Sequence, residues 1–261
     1  MNLAADLLQF DGLSAGVVIA LFFVALAAGF IDSIAGGGGL LTIPAFLILA
    51  PSVHPVTVLA TNKLQGTFGS AMSSFTYYKA GHLPVRKYLF GFACSFIGSA
   101  IGTLLVGSLS SDLLNRLIPI LLIVMAIYFA VSPKLGDVDK HAWMTPMQHG
   151  LTFGLVIGAY DGFFGPGTGS FFVLSCVAFL GLGITSATAY TKFLNFASNI
   201  ASLLFFVLTA PILIKTGLLM GVGQLIGARL GANFALKNGA KIIKPLLVLV
   251  CVSVSVKLLF F

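Results

Sequence analysis

Long runs of apolar residues, separated by short polar connectors, dominate the chain. A helix needs about 20 apolar residues to cross the hydrocarbon core of a bilayer, and several runs without Asp, Glu, Lys or Arg reach or exceed that length. Continuous apolar runs without alternation are typical of helices rather than of a membrane β-barrel. These runs are 12–31, 33–62, 88–111, 142–160, 162–191 and 193–214. We therefore predict an all-α polytopic membrane protein with about 8 to 10 membrane segments, some of them broken or re-entrant.

The composition supports this class. Of the 261 residues, 58% are hydrophobic and only 8% are charged, with a mean hydropathy of +1.08. A soluble domain carries roughly 25% charged residues, so the solvent for most of this chain must be lipid. The net charge of +7 lies in the connectors, where basic residues fix membrane orientation, and it does not indicate nucleic-acid binding. Neither Cys94, Cys176 and Cys251 nor the histidines show metal-ligand spacing, so no metal and no cofactor are predicted.

Two halves of the sequence match at an offset of 129 residues. The offset relates Asp32 to Asp161 and Lys63 to Lys192, which a general bias toward apolar residues cannot explain. The same residue type also recurs 129 positions after Gly29, Gly36, Gly38, Ala60, Ser73, Gly98 and Gly102. We therefore predict two related membrane repeats, 1–131 and 146–261, joined by a polar linker at 132–145. The glycine pairs Gly98 with Gly102 and Gly227 with Gly231 are predicted helix-packing faces.

The basic residues indicate that the repeats have opposite orientations in the membrane. The connector 79–87 carries three basic residues, whereas its counterpart 208–216 keeps only one. Conversely, 109–116 balances one Asp with one Arg, while the matching region 237–244 carries three lysines. Cytoplasmic loops are enriched in Lys and Arg, so this exchange predicts two inverted-topology repeats. The linker would then be cytoplasmic and the N-terminus periplasmic.

A glycine-rich break follows each of the two aspartates. Glycine disfavours continued helix, and proline removes a hydrogen-bond donor. Backbone groups freed inside a membrane must be buried or line a wet cavity, and a helix that restarts there presents amide dipoles that suit an anion. The alternative is that the glycines only allow close helix packing. The ligands predicted from these breaks are Gly36, Gly37, Gly38, Gly39, Gly165, Gly167, Thr168 and Gly169.

Two lysines in apolar surroundings form the second candidate element. A charge at the centre of a membrane helix costs about 2.5–3.5 kcal/mol, so Lys63 and Lys192 must reach an interface, pair with Asp32 and Asp161, or face a cavity. Pairing alone would be a structural role. Nearby amide groups favour a lined site, because they can donate to oxyanions. The substrate ligands predicted here are Asn62, Lys63, Gln65, Lys192, Asn195 and Asn199, and the aspartates either hold the lysines or take up protons that couple transport.

The motifs that carry these residues identify a family. The chain resembles the TauE/SafE family, the sulfite exporter or toluene sulfonate uptake permeases, and within it the uncharacterised bacterial permeases. The resemblance rests on Ala60-Thr61-Asn62-Lys63 and on Tyr-Asp-Gly-Phe-Phe-Gly-Pro-Gly-Thr-Gly-Ser at 160–170, and it covers nearly the whole length. It implies an inner-membrane permease for a sulfur-containing oxyanion such as sulfite, sulfoacetate or another organosulfonate, in export or uptake. The second repeat has Pro166 at the position equivalent to Gly37 and Thr191 at the position equivalent to Asn62. The two walls of a shared site would therefore be unequal.

We therefore expect a transporter that holds one small anion between the two repeats and works by alternating access, not an enzyme. A passive anion channel is an alternative, which would show faster flux and no counterflow. An intramembrane aspartyl protease is a second alternative, since Tyr160-Asp161 fits one of its motifs. Its partner motif needs Asp after Gly-x-Gly, and here Thr168 follows Gly167.

Overall fold

A computed structural model describes residues 9–107 and 141–238, which form helices apart from one short hairpin. Strands β1 (Gln9–Phe10) and β2 (Leu13–Ser14) pair antiparallel. The turn between them is Asp11-Gly12, and both residues have positive φ, as hairpin turns of the Asp-Gly type require. The Asp11 carboxylate accepts a hydrogen bond of 2.8 Å from the N–H of Thr216, which ties the hairpin to the last described helix. This hairpin was not predicted from the sequence.

The helices fall into two similar series. The first comprises α1 (Ala15–Ala35), α2 (Gly38–Leu49), α3 (Pro55–Lys79) and α4 (Val85–Gly107). In the second, α5 (Pro146–His149) continues through a π-helical turn (Gly150–Gly154) into α6 (Leu155–Phe163), followed by α7 (Thr168–Phe179), α8 (Ile184–Thr209) and α9 (Ile214–Asn238). The helices α3 and α4 begin 129 residues before α8 and α9. The predicted repeat boundary and residues 132–140 of the linker lie outside the described residues, as do Cys251 and the connector 109–116.

Helix lengths are consistent with a membrane protein that contains short, incomplete crossings. Three helical stretches in the described ranges, Ala15–Ile34, Val85–Val106 and Ile184–Thr209, are long and apolar enough to span a bilayer. The helices α2 and α7 have 12 residues each, about 18 Å of helix, which is little more than half of the hydrocarbon core. The predicted all-α polytopic class and its broken helices are confirmed.

The last helix of each series packs against the other series. Helix α9 packs along α1 and α3, and α4 packs along α6 and α8. Glycines allow these contacts: a Cβ on Gly98 would overlap the carbonyl oxygen of Leu155, and one on Gly227 would overlap that of Leu26. The predicted glycine packing faces are therefore confirmed. We call α1–α3 with α9 the first bundle, and α4–α8 the second bundle.

The two bundles share their apolar interior. Each of two buried apolar clusters draws residues from both bundles, with Phe46 and Phe206 in one cluster and Tyr77 and Phe172 in the other. The bundles are therefore packed against each other, and the polar residues of the predicted site lie between them.

Candidate functional site

Both helix breaks occur where the sequence predicts them. Helix α1 ends at Ala35, and Gly36 and Gly37 take φ values of 81° and 91° before α2 begins. Helix α6 ends at Phe163, and Gly165 and Gly167 take φ values of 95° and 84° before α7 begins. These left-handed conformations strain any residue with a Cβ, so glycine is required at these positions.

The two breaks lie against each other. A Cβ on Gly36 would sit 2.7 Å from the backbone nitrogen of Ser170, at the start of α7. On the opposite side, a Cβ on Gly39 would lie 3.4 Å from the Cα of Pro166. The N-terminal ends of the short helices α2 and α7 are thereby brought together from different bundles.

The lysines and aspartates pair crosswise between the bundles. Lys63 on α3 lies 2.9 Å from the Asp161 carboxylate on α6, and Lys192 on α8 lies 2.9 Å from the Asp32 carboxylate on α1. The side chains of Lys63 and Lys192 are only 3% and 0% exposed. Both lysines therefore pair with the aspartates, as one of the three expected outcomes has it, and Lys63 in addition faces a cavity. The two pairs are equivalent, because Lys192 lies 129 positions after Lys63 and Asp161 lies 129 positions after Asp32.

The two carboxylates have different surroundings. Asp161 also accepts hydrogen bonds from the hydroxyls of Thr168, at 3.0 Å, and Ser198. Asp32 accepts instead from the N–H of Gly38 at 2.9 Å, and no hydroxyl in the described residues donates to it. Its side chain is 18% exposed, against 6% for Asp161. The sequence explains the difference, because glycines stand 129 positions before both Thr168 and Ser198.

A polar cavity of about 50 Å³ lies between the breaks. Helices α2 and α7 contribute their first residues to it, and α3 and α8 contribute amide side chains. Gly66 and Gln224 also line the cavity and were not predicted from the sequence. Gln224 could have been predicted, because a polar side chain within an otherwise apolar helix indicates a buried polar site. The lining comprises Asp32, Gly37, Gly38, Gly39, Asn62, Lys63, Gly66, Asp161, Gly165, Gly167, Thr168, Gly169, Asn195, Asn199 and Gln224.

Three of the predicted ligands are not among the lining residues. Gly36 is covered by the start of α7, and the Lys192 ammonium is fully buried on Asp32. Gln65 is buried and donates to the Asn62 amide oxygen at 2.7 Å. That oxygen also accepts from Thr42 at 2.6 Å. Gln65 therefore orients Asn62.

Hydrogen-bond donors face this cavity from several elements. With its oxygen occupied, Asn62 has its amide nitrogen 3.8 Å from the Cβ position of Gly39. The amide nitrogen of Asn195 lies 3.1 Å from the Cβ position of Gly169. Gly39 and Gly169 are the second residues of α2 and α7, where backbone N–H groups have no acceptor inside the helix. The cavity can therefore offer several donors to one ligand.

Neither metal binding nor proteolysis finds support in this arrangement. Within 9–107 and 141–238, no three His, Cys or Asp side chains come together as metal ligands. Each aspartate is bonded to a lysine ammonium, unlike the two carboxylates that share one proton in an aspartyl protease.

Comparison with known proteins finds the family that the motifs of this chain resemble. The family described as sulfite exporter TauE/SafE matches residues 21–258. The "Probable membrane transporter protein ORF9" of a Sinorhizobium species is 48% identical over 239 residues, which cover 92% of this chain and 91% of that protein. The "Probable membrane transporter protein YfcA" of Escherichia coli is 44% identical over 240 residues, covering 92% and 88%. A "Probable membrane transporter protein" of Haemophilus influenzae is 40% identical over 240 residues, covering 92% and 93%. No solved structure matches.

These names describe membrane transporters rather than enzymes, in agreement with the apolar helices and with a small-molecule substrate. The family match covers most of the chain, and the relatives cover nearly all of it. This chain therefore belongs to the sulfite exporter TauE/SafE family.

Proposed function

We propose that the protein carries a small anion, a sulfur oxyanion or an organosulfonate, across the bacterial inner membrane by alternating access. The observation that carries the proposal is the convergence of two helix N-termini on one cavity, at Gly39 and Gly169. Helix N-termini bind anions because their free N–H groups and the helix dipole favour negative charge. The amides of Asn62 and Asn195 add donors that suit oxyanion oxygens.

The family description and the cavity size support this substrate class. The family is described by sulfite export, and sulfite and sulfonate groups both present several oxygen acceptors. A cavity of about 50 Å³ exceeds the 10–15 Å³ that one water requires, so it suits a compact anionic head group. An organic tail would need the cavity to open along the boundary between the bundles.

The ion pairs suggest how an anion and a proton could move together. With all four side chains ionised, Lys63, Lys192, Asp32 and Asp161 carry no net charge. A proton on Asp32 would leave the Lys192 charge unbalanced, and a monovalent anion in the cavity would restore neutrality. We assign the proton to Asp32 because its side chain is the more accessible of the two, 18% exposed against 6% for Asp161. Lys192 and, across the cavity, Lys63 with Asp161 are the charged groups that face it.

Asp32→Asn should therefore abolish stimulation by a proton gradient while anion binding persists. The neutral amide imitates the protonated carboxyl, so the anion no longer needs a proton to enter. Uptake of labelled sulfite into proteoliposomes, with and without an imposed pH gradient, measures this. Asp11→Asn, a matched change outside the cavity, should keep the gradient response. Gradient-driven accumulation by Asp32→Asn at the wild-type level would contradict proton uptake at this residue.

The packing suggests which parts move. The crosswise ion pairs and the two breaks all lie at the boundary between the first bundle and the second. Within each bundle, glycine-mediated backbone contacts join the helices closely. The bundles are therefore the natural rigid bodies for alternating access, and each contains helices from both repeats.

Contacts between equivalent positions support a pseudo-two-fold relation between the repeats. The amide nitrogen of Asn199 lies 3.4 Å from the hydroxyl of Ser70, and the two residues are 129 positions apart in the sequence, which is the offset between the repeats. Equivalent positions touch only near an axis that relates them. This contact and the two ion pairs, which are equivalent under the repeat offset, fit the inverted-repeat topology of many secondary transporters.

Counterflow in proteoliposomes tests the proposed function. Vesicles loaded with unlabelled sulfite should transiently accumulate labelled sulfite above its equilibrium level, because the unlabelled sulfite inside competes for the inward-facing site and slows the exit of the label. Lactate, a carboxylate of similar size, serves as the control anion inside. Flux that neither saturates nor shows counterflow would favour the passive channel, and failure of every sulfur oxyanion and organosulfonate to compete would reject the substrate class.

A further inference from the structure

A second and larger cavity lies between the same two helices, α3 and α9, about one and a half turns further along them than the polar one, and it shares no lining residue with it. It has a volume of about 410 Å³ and lies between the C-terminal part of α3 and the second half of α9. We call it the basic groove, and its lining comprises Met72, Phe75, Thr76, Lys79, Ala80, Arg229, Asn233 and Leu236.

The groove holds two positive charges that form no ion pair within residues 9–107 and 141–238. Lys79 and Arg229 are exposed and form no ion pair with any described residue. The Lys79 ammonium instead lies 4.7 Å from the ring centre of Phe75. The segment 239–261, which follows α9, adds three lysines and no Asp or Glu.

The surroundings of the groove are those of a lipid-facing surface. Phe75, Leu230 and Phe234 are large apolar residues exposed beside it. Arg229 lies nine residues before the end of α9, about 14 Å along the helix. An arginine at such a depth is costly unless its side chain extends toward the interface and finds an anion there. Phospholipid phosphate is the anion available at the interface.

We propose that the basic groove binds an anionic phospholipid. Lys79 and Arg229 pair with the phosphate, because charge-assisted bonds to phosphate favour a guanidinium. Asn233 lies on the same helix face one turn after Arg229 and can donate to a phosphate or glycerol oxygen. An acyl chain lies along Met72, Phe75 and Leu236. The groove lies at the end of α3 that leads into the basic connector 79–87, as expected for a cytoplasmic anionic-lipid site.

Native mass spectrometry of the full-length protein tests this binding. Protein released from nanodiscs of equal phosphatidylglycerol and phosphatidylcholine should retain phosphatidylglycerol selectively. The double variant Lys79→Gln with Arg229→Gln should lose roughly tenfold or more of that retention, and Arg229→Lys should keep part of it. Lys215→Gln, an exposed lysine at the other end of α9, is the matched control and should retain lipid like the wild type.

Further arms separate the lipid from other ligands. Inorganic phosphate at millimolar concentration should not displace the lipid, because the acyl chain contributes to binding. If the double variant fails to fold, a photoactivatable phosphatidylglycerol on the wild type should label peptides from 72–80 or 229–236. Equal retention by the double variant and the control, full displacement by phosphate, equal retention of phosphatidylcholine, or labelling confined to other peptides would overturn the proposal.

Discussion

Lys63→Met is expected to lower the free energy of unfolding by about 3–5 kcal/mol, the usual effect of breaking a buried ion pair. The Asp161 carboxylate would remain buried with only its hydroxyl donors, Thr168 and Ser198, to stabilise it. Lys192→Met should destabilise less, because Asp32 is partly exposed and can be hydrated. Unfolding curves in detergent micelles measure both changes, and Lys215→Met, which removes an exposed lysine, should stay within about 0.5 kcal/mol of the wild type.

The double variant Lys63→Met with Asp161→Asn separates folding from function. Removing both charges leaves no unpaired ion, so most of the lost stability should return. Transport should not return, because the cavity still lacks the Lys63 ammonium. If Lys192→Met proved more damaging than Lys63→Met, or if the double variant transported sulfite normally, the roles assigned to the two pairs would be wrong.

A disulfide between α3 and α8 is expected to reduce transport roughly tenfold or more, because it would lock the boundary at which the bundles must move. Gly66→Cys with Asn199→Cys suits this purpose, since a Cβ on Gly66 lies 3.5 Å from Asn199 Cγ. The three native cysteines are removed by Cys94→Ala, Cys176→Ala and Cys251→Ala, so that only the introduced pair can be oxidised. Uptake is measured before and after oxidation, and again after reduction, which should restore the rate of the unlinked variant.

A link inside one bundle provides the matched control. The Cβ of native Cys94 on α4 lies 3.2 Å from the Cβ position of Gly154, close to the 3.5–4.5 Å range of disulfides. Gly154→Cys, with Cys94 retained, should therefore form a disulfide within the second bundle and leave transport largely unchanged. Full activity with the α3–α8 disulfide, or loss of activity with the disulfide between positions 94 and 154, would show that the boundary between the moving parts does not lie between the two bundles.

The elements of this site that depend on local chemistry could be predicted from the sequence. The glycines after Asp32, and the glycines and proline after Asp161, favour a helix break, and the structure has a break at each place. The apolar runs likewise predict helices, and lysines inside them require a partner. The family motifs contain these same residues, so the assignment to TauE/SafE was also within reach.

The parts that the sequence could not predict depend on contacts between distant segments. The sequence left three outcomes open for Lys63, and only the three-dimensional arrangement shows that its side chain reaches Asp161 on α6. The exchange of α4 and α9 between the repeats leaves no local signal, because a glycine face does not identify its partner helix. Gln224 reaches the cavity only because α9 packs against α1 and α3. The Asp11-Gly12 hairpin is different, since its turn signal is local and was overlooked.

The central claim is that an anion occupies the cavity where the two short helices begin. Crystals grown with bromoethanesulfonate, a small organosulfonate that carries an anomalous scatterer, test it most directly. We expect a bromine peak at this cavity, with the sulfonate oxygens within hydrogen-bond distance of the N–H groups of Gly39 and Gly169 and of the Asn62 amide nitrogen. A peak confined to the basic groove at Lys79 and Arg229, or bound anion that contacts neither helix start, would contradict it.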